Sequence, residues 1–158
     1  MPVLAAGGIS SGRAMAAALA AGADGVRVGT RFVAAVEAEA HPEYVRALIA
    51  ANPGDTVYTE AYSTNWPNAP HRVLRSCIEA ANLVKEGEIV GYLDWYGTPD
   101  PIHRFDCAAI DRSATGNIAA MPHWAGQGVG AVRRVEPAAE IVQELAGEAE
   151  RLLDQWAR

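Results

Sequence analysis

The chain has 158 residues, half of them apolar, which is enough to bury one sizeable core and too ordered a composition for a disordered segment. Its net charge of -6, with no run of like charges, argues against nucleic acid or an anionic membrane as the main partner and leaves small metabolites or proteins. Cys77 and Cys107 have neither zinc-ligand spacing nor disulfide density, so they are expected as free thiols in a cytoplasmic setting, and no apolar stretch is long enough to span a bilayer.

Val3 to Ala6 is a short apolar run ended by Gly7-Gly8, the pattern of a strand buried on both faces. Ser10 or Ser11 is placed to cap a helix through Ala14 to Ala20, which stops at Gly22. A second strand, Gly25 to Val28, ends in Gly29-Thr30, after which Phe32, Val33, Val36 and Ala40 recur at helical spacing. A helical crossover makes the two strands parallel, so both glycine turns are expected side by side at the carboxyl end of a sheet.

His41-Pro42 opens a further helix from Glu43 to Ala51, closed by Asn52-Pro53-Gly54-Asp55. Asp55 to Thr59 alternates like a strand, and Trp66-Pro67-Asn68-Ala69-Pro70 is a rigid loop leading to a helix expected from about His71 to Val84. Lys85 to Pro122 has no steady period and is expected to be an irregular lid in which Tyr92, Trp95 and Tyr96 pack down. Glu136-Pro137 starts a last amphipathic helix carrying Ile141, Val142, Leu145, Leu152, Leu153 and Trp156. The chain thus divides into strand-helix units over 1–52, an excursion over 53–122, and a closing loop and helix over 123–158.

Two glycine turns that open helices side by side can hold a phosphate, because helix-initial amides lack partners and glycine lets an anion approach. Gly7 and Gly8 supply one turn, and Gly29 and Thr30 the other, the second also offering a hydroxyl. The alternative is that these glycines only relieve crowding where strands turn into helices. Neither stretch has the spacing of a dinucleotide-binding fingerprint or a P-loop.

The stretch "PVLAAGGISSGRAMAAALAAGADGVRVGTRF" and the later "HWAGQGVGAVRRVEPAAEIVQELAGEAERLL" resemble the C-terminal half of the nitronate monooxygenases, also called 2-nitropropane dioxygenases. The resemblance implies a TIM (β/α)8 barrel flavoprotein that binds FMN and oxidises alkyl nitronates with molecular oxygen. Gly7 and Gly8 fall on the family's first phosphate-contacting turn, and Arg27, Val28, Gly29 and Thr30 on its second. Gln127, within Ala125-Gly126-Gln127, falls on a loop that approaches flavin and substrate, and His123 is the one histidine placed near a flavin.

A complete barrel needs on the order of 250 residues and eight strands, and two barrel strands are read here. The family's base histidine lies upstream of this sequence, so no catalytic residue is assigned, and a missing N-terminal half or a homo-oligomer is expected to cover the open sheet edge. His41 and His71 read as helix-start residues, His103 has no specific role, and no pair of histidines has metal-site spacing. The Arg27 guanidinium either assists the phosphate or packs into the barrel wall. Two other readings stand beside the enzyme: a non-catalytic phosphate-binding half-barrel, and a flavin-dependent enoyl-thioester reductase.

Overall fold

The computed structural model describes residues 1–64 and 66–157. Strands β1 (Leu4–Ala6) and β2 (Gly25–Arg27) pair in parallel, with Leu4 opposite Gly25 and Ala6 opposite Arg27. Between them runs α1 (Gly12–Ala20), whose first turn is capped by the Ser11 hydroxyl accepting from the Ala14 amide at 3.2 Å. Parallel register brings both strand ends, and hence both glycine turns, to one edge, as the alternation of strand and helix predicts.

The second helix is shorter than its apolar spacing suggests. α2 covers only Thr30–Val33, and the chain then turns so that Ala35 bridges Glu136 and the Val36 amide donates to the Glu136 carbonyl at 3.0 Å. A tertiary bridge to the segment ahead of the last helix replaces the further helical turns. Helix α3 (Pro42–Ala50) follows, with the His41 Nδ1 accepting from the Glu43 amide at 3.2 Å.

The excursion departs more strongly from expectation. His71 does not start a helix: β4 (His71–Leu74) pairs antiparallel with β3 (Thr56–Thr59), and α4 spans only Arg75–Asn82. His71–Leu74 reads polar-polar-apolar-apolar with no period-2 alternation, and Val73 and Leu74 fit a helical stripe with Cys77, Ile78 and Ala81, so pairing with β3 decides the strand. Residues 85–122 are not irregular either, because β5 (Ile89–Trp95) pairs with β6 (Thr98–His103) and with the short β7 (Thr115–Gly116). Tyr96 and Gly97 turn the hairpin with positive φ angles of 52° and 85°, the conformation of a two-residue turn whose twist matches the strands it joins.

Tyr92, Trp95 and Tyr96 do not pack down; Trp95 is 67% and Tyr96 94% exposed on this hairpin. One core joins Leu48 and Tyr44 of α3 to Val73, Leu74, Cys77, Val90, Met121 and Val129. A smaller core sets Ile141 and Leu145 of α5 (Ala138–Trp156) against Ala35, Met15, Val28 and Phe32. α1 and α5 approach closely at Gly12, where a Cβ would stand 2.4 Å from Glu148 Cβ and 2.7 Å from the Leu145 carbonyl oxygen. Pro137 sits one position before α5, where its missing amide costs no helical bond.

Candidate functional site

The two glycine turns face an open recess of about 300 Å³, lined by Gly7, Gly8, Arg27, Gly29, Thr30 and Gly126 among others. Gly7 and Gly8 hold φ angles of +98° and +69°, which β-carbon-bearing residues seldom adopt, so the turn itself requires glycine. A Cβ on Gly7, Gly8 or Gly29 would meet no heavy atom within 4 Å, so the space beside these turns is open and a side chain there would project into it.

The closed side of the recess is built differently. The Gly126 amide donates to Thr30 Oγ1 at 3.0 Å, and a Cβ on Gly128 would lie 2.9 Å from Ser10 Cβ and 3.3 Å from the Gly8 carbonyl oxygen. The Ala-Gly-Gln segment is therefore docked against both turns at once. Thr30 accepts there and keeps its own hydroxyl hydrogen for another partner.

Arg27 is exposed and lines the recess instead of packing into a wall. Among the described residues no carboxylate lines the recess, so its local charge is set by one guanidinium and the glycine-turn backbone. Val28 is half-buried and packs in the smaller core with Ile141 and Leu145, which leaves only its backbone near the turn. Gln127 is exposed between the two lining glycines, at the start of a 3-10 turn, Gln127–Ala131.

His123 lies elsewhere, 4% exposed in the main core. Its ring stacks on Tyr44 with centroids 4.9 Å apart, and its Nε2 lies 3.1 Å from the Ile118 carbonyl oxygen. Burial pulls its pKa down to about 4, so the ring is neutral near pH 7 and Nε2 carries the hydrogen that bonds Ile118. The Tyr44 hydroxyl donates to the Trp124 carbonyl, so α3 fixes the segment leading into Gly126 from its far side.

The sequence reading passed over Arg31. Its side chain, 5% exposed, donates to Glu136 at 2.6 Å, to Glu144 at 2.9 Å and to the Ser10 carbonyl at 3.3 Å. One cation thus ties the first glycine turn to α5 and to the residue preceding its proline. The hydrogen bond from Arg31 holds the Glu144 carboxyl below the usual carboxylate range, and Glu144 in turn raises Arg31. The signal was available in the adjacency of Arg31 to Thr30 within "VGTRF", but pairing with acids more than 100 positions away leaves no local pattern.

A model of the nitronate monooxygenase family matches residues 1–148. The chain is 35% identical to a nitronate monooxygenase of Paraburkholderia phytofirmans over 98% of its own length and 40% of that relative's. It is 32% identical to the nitronate monooxygenase npaC of Metarhizium robertsii, over 97% of its length and 43% of that protein's. Among solved structures, nitroalkane oxidase from Streptomyces ansochromogenes superposes with a TM-score of 0.66 at 28% identity, covering 98% of this chain and 41% of that one. FabK from Thermotoga maritima superposes at 0.65 with 28% identity, covering 99% of this chain and 47% of that one.

The chain therefore spans less than half the length of these relatives, and its parallel strand-helix unit corresponds to part of an α/β barrel. No helix among the described residues is long and apolar enough to cross a membrane. Chain-wide similarity and the matched family model agree: the chain belongs to the nitronate monooxygenase family of flavin-dependent oxidoreductases and matches the C-terminal portion of its longer members.

Proposed function

We propose that this chain supplies the FMN-phosphate grip and part of the lid of a cytoplasmic, FMN-dependent nitronate monooxygenase acting on alkyl nitronates with molecular oxygen. The observation that carries the reading is the recess between the turns, open at Gly7, Gly8 and Gly29 and closed behind by Gly126 on Thr30. These residues fit a phosphate: the glycines leave room for close backbone approach, Thr30 retains a hydroxyl donor, and Arg27 is the cation at the rim. Because α2 is a single turn, helix-dipole attraction comes mainly from α1, and the second turn contributes through its amides and hydroxyl.

A bound FMN would supply the redox chemistry between an alkyl nitronate and molecular oxygen. The part assigned to this chain is positional. Arg31 holds the turn that faces the phosphate, and the docked 126–128 segment, with Gln127 at its exposed corner, limits how far a bound ring can shift. No residue of this chain is assigned the proton abstraction from carbon. We assign that step and the rest of the barrel to the portion of the longer relatives that this chain does not match.

The test is a titration of the chain with FMN, followed by flavin fluorescence, with inorganic phosphate as competitor. Saturable quenching that phosphate relieves is expected, and nitrite release is expected only when the upstream half is supplied. Absence of saturable quenching would refute the grip, and nitrite turnover by this chain alone would refute the division of labour. Substrate-dependent NAD(P)H oxidation in place of nitrite release would favour an enoyl-thioester reductase.

A further inference from the structure

The β5–β6 hairpin ends in an aromatic tip that the rest of the chain leaves exposed. Trp95 and Tyr96 meet edge-on with centroids 5.4 Å apart, and Tyr92 lies exposed further down the same hairpin. The tip is anchored: the Asp94 amide donates to Ser113 Oγ at 3.0 Å, and the Gly97 amide donates to Asp94 Oδ1 at 2.6 Å. Exposed Asp94 and Asp100 flank the rings and make the tip negative. Rings already fixed on an anchored turn lose little further freedom when a partner covers them.

An apolar groove of about 430 Å³ is floored by Val36, Val45, Ile49 and Val135 and flanked by Arg46 and Arg112. Val36 and Val135 are 52% and 51% exposed there. Among the described residues no carboxylate lines the groove, so its field is positive. The two guanidiniums are loosely engaged, Arg46 4.0 Å from Glu43 and Arg112 3.6 Å from Glu39, and Arg112 also donates to the Val36 and Ala38 carbonyls.

Tip and groove are neighbours. Asp111 Oδ1 accepts from the Ser113 hydroxyl beneath the tip at 2.6 Å, and Asp111 bridges Ala40, which lines the groove. Arg112, between these two residues, is itself part of the groove. One surface thus carries a negative aromatic projection next to a positive apolar depression. A chain with both presents what a two-fold contact needs, because one rotation seats both projections at once.

We propose that this surface joins two copies of the chain, the Trp95–Tyr96 tip of each seated in the Val36–Val135 groove of the other, with Asp94 and Asp100 facing Arg46 and Arg112. Covering two tips and two grooves removes on the order of 1,200 Å² from water, the low end for a stable interface. A dissociation constant on the order of 1–100 μM is therefore expected. The contact uses neither the glycine turns nor the β1 edge, so it stands independently of the flavin reading.

Sedimentation velocity of the chain at increasing protein concentration tests this. A monomer–dimer equilibrium is expected, with no larger species. Trp95→Ser, Arg46→Glu and Asp100→Lys, all at exposed positions, should each weaken association by about tenfold or more while circular dichroism stays unchanged. An equimolar mixture of the Arg46→Glu and Asp100→Lys chains should recover association, because in the mixed dimer one contact keeps its original signs and the other has both reversed. Leu4→Lys, on exposed β1, should leave the dimer intact. A chain that stays monomeric, growth beyond dimers, association indifferent to the three substitutions, or a mixture no better than its components would overturn the interface. Loss of association in Leu4→Lys alone would put the contact on the open sheet edge and overturn it equally.

Discussion

Arg31 and Glu136, 105 residues apart in sequence, meet at 2.6 Å, with both side chains less than a tenth exposed. A buried ion pair of this kind adds little over an apolar pair of the same shape, but removing one partner leaves a charge without compensation. Arg31→Ala should lower stability by about 3 kcal/mol in urea denaturation, with a parallel loss of FMN affinity because the Ser10 carbonyl loses its anchor. Glu144→Ala should cost under about 1 kcal/mol, since that side chain is 50% exposed. Equal costs for the two would show that burial is not what makes the pair matter.

His123 makes stability depend on pH in a defined direction. Its pKa falls from 6.5 to about 4 on folding, so between those values the unfolded chain binds more protons and stability decreases as pH is lowered. The expected loss across that window is about 3 kcal/mol, measured as unfolding free energy against pH. His123→Gln keeps a donor for the Ile118 carbonyl and should flatten the curve there. Glu144, whose pKa is depressed, loses its contribution only as pH falls below the ordinary carboxylate range, so the two groups act in successive windows.

Glycine 29 and glycine 12 should separate binding from folding. Gly29→Val adds bulk where no atom stands within 4 Å and φ is ordinary, so thermal stability should change little while FMN affinity drops by about tenfold or more. Gly12→Val drives carbon into the Leu145 carbonyl and the Ala149 amide and should cost about 2 kcal/mol or more, seen in the melting temperature.

Thr30→Val removes the acceptor for the Gly126 amide and one donor facing the recess. A loss of about 1 to 2 kcal/mol in stability is expected, together with faster hydrogen exchange at Gly126. Thr30→Ser should restore both.

The barrel-like part was legible in the sequence because its signals are local. A bounded apolar run, two glycine turns and a cap at Ser11 each act within a few residues, and the parallel pairing of β1 with β2 follows from the helix between them. The excursion was not legible for the opposite reason. β4 is defined by partners in β3 and by Trp124, and β5 mixes buried Val90 with exposed Tyr92 and Trp95, so no clean alternation marks it.

The same distinction divides the site. That Gly7, Gly8, Gly29 and Thr30 line one recess follows from turn chemistry, and Arg27 joins them from its place at the end of β2. The role of Arg31 depends on acids that only the folded chain brings near, and the neighbouring tip and groove on segments that meet only in three dimensions. His71 illustrates the cost: as a presumed helix-start residue it was dismissed, yet in β4 it braces Trp124.

The packing of α1 against α5 also fixes an order of events during synthesis. Arg31 precedes Glu136 and Glu144 by 105 and 113 residues, so it leaves the ribosome well before them. Translation at roughly 5–20 residues per second separates them by several seconds. Throughout that interval Arg31 lacks both of its acidic partners. The proposed grip is therefore braced only once α5 has packed against α1 and Glu136 and Glu144 have reached Arg31.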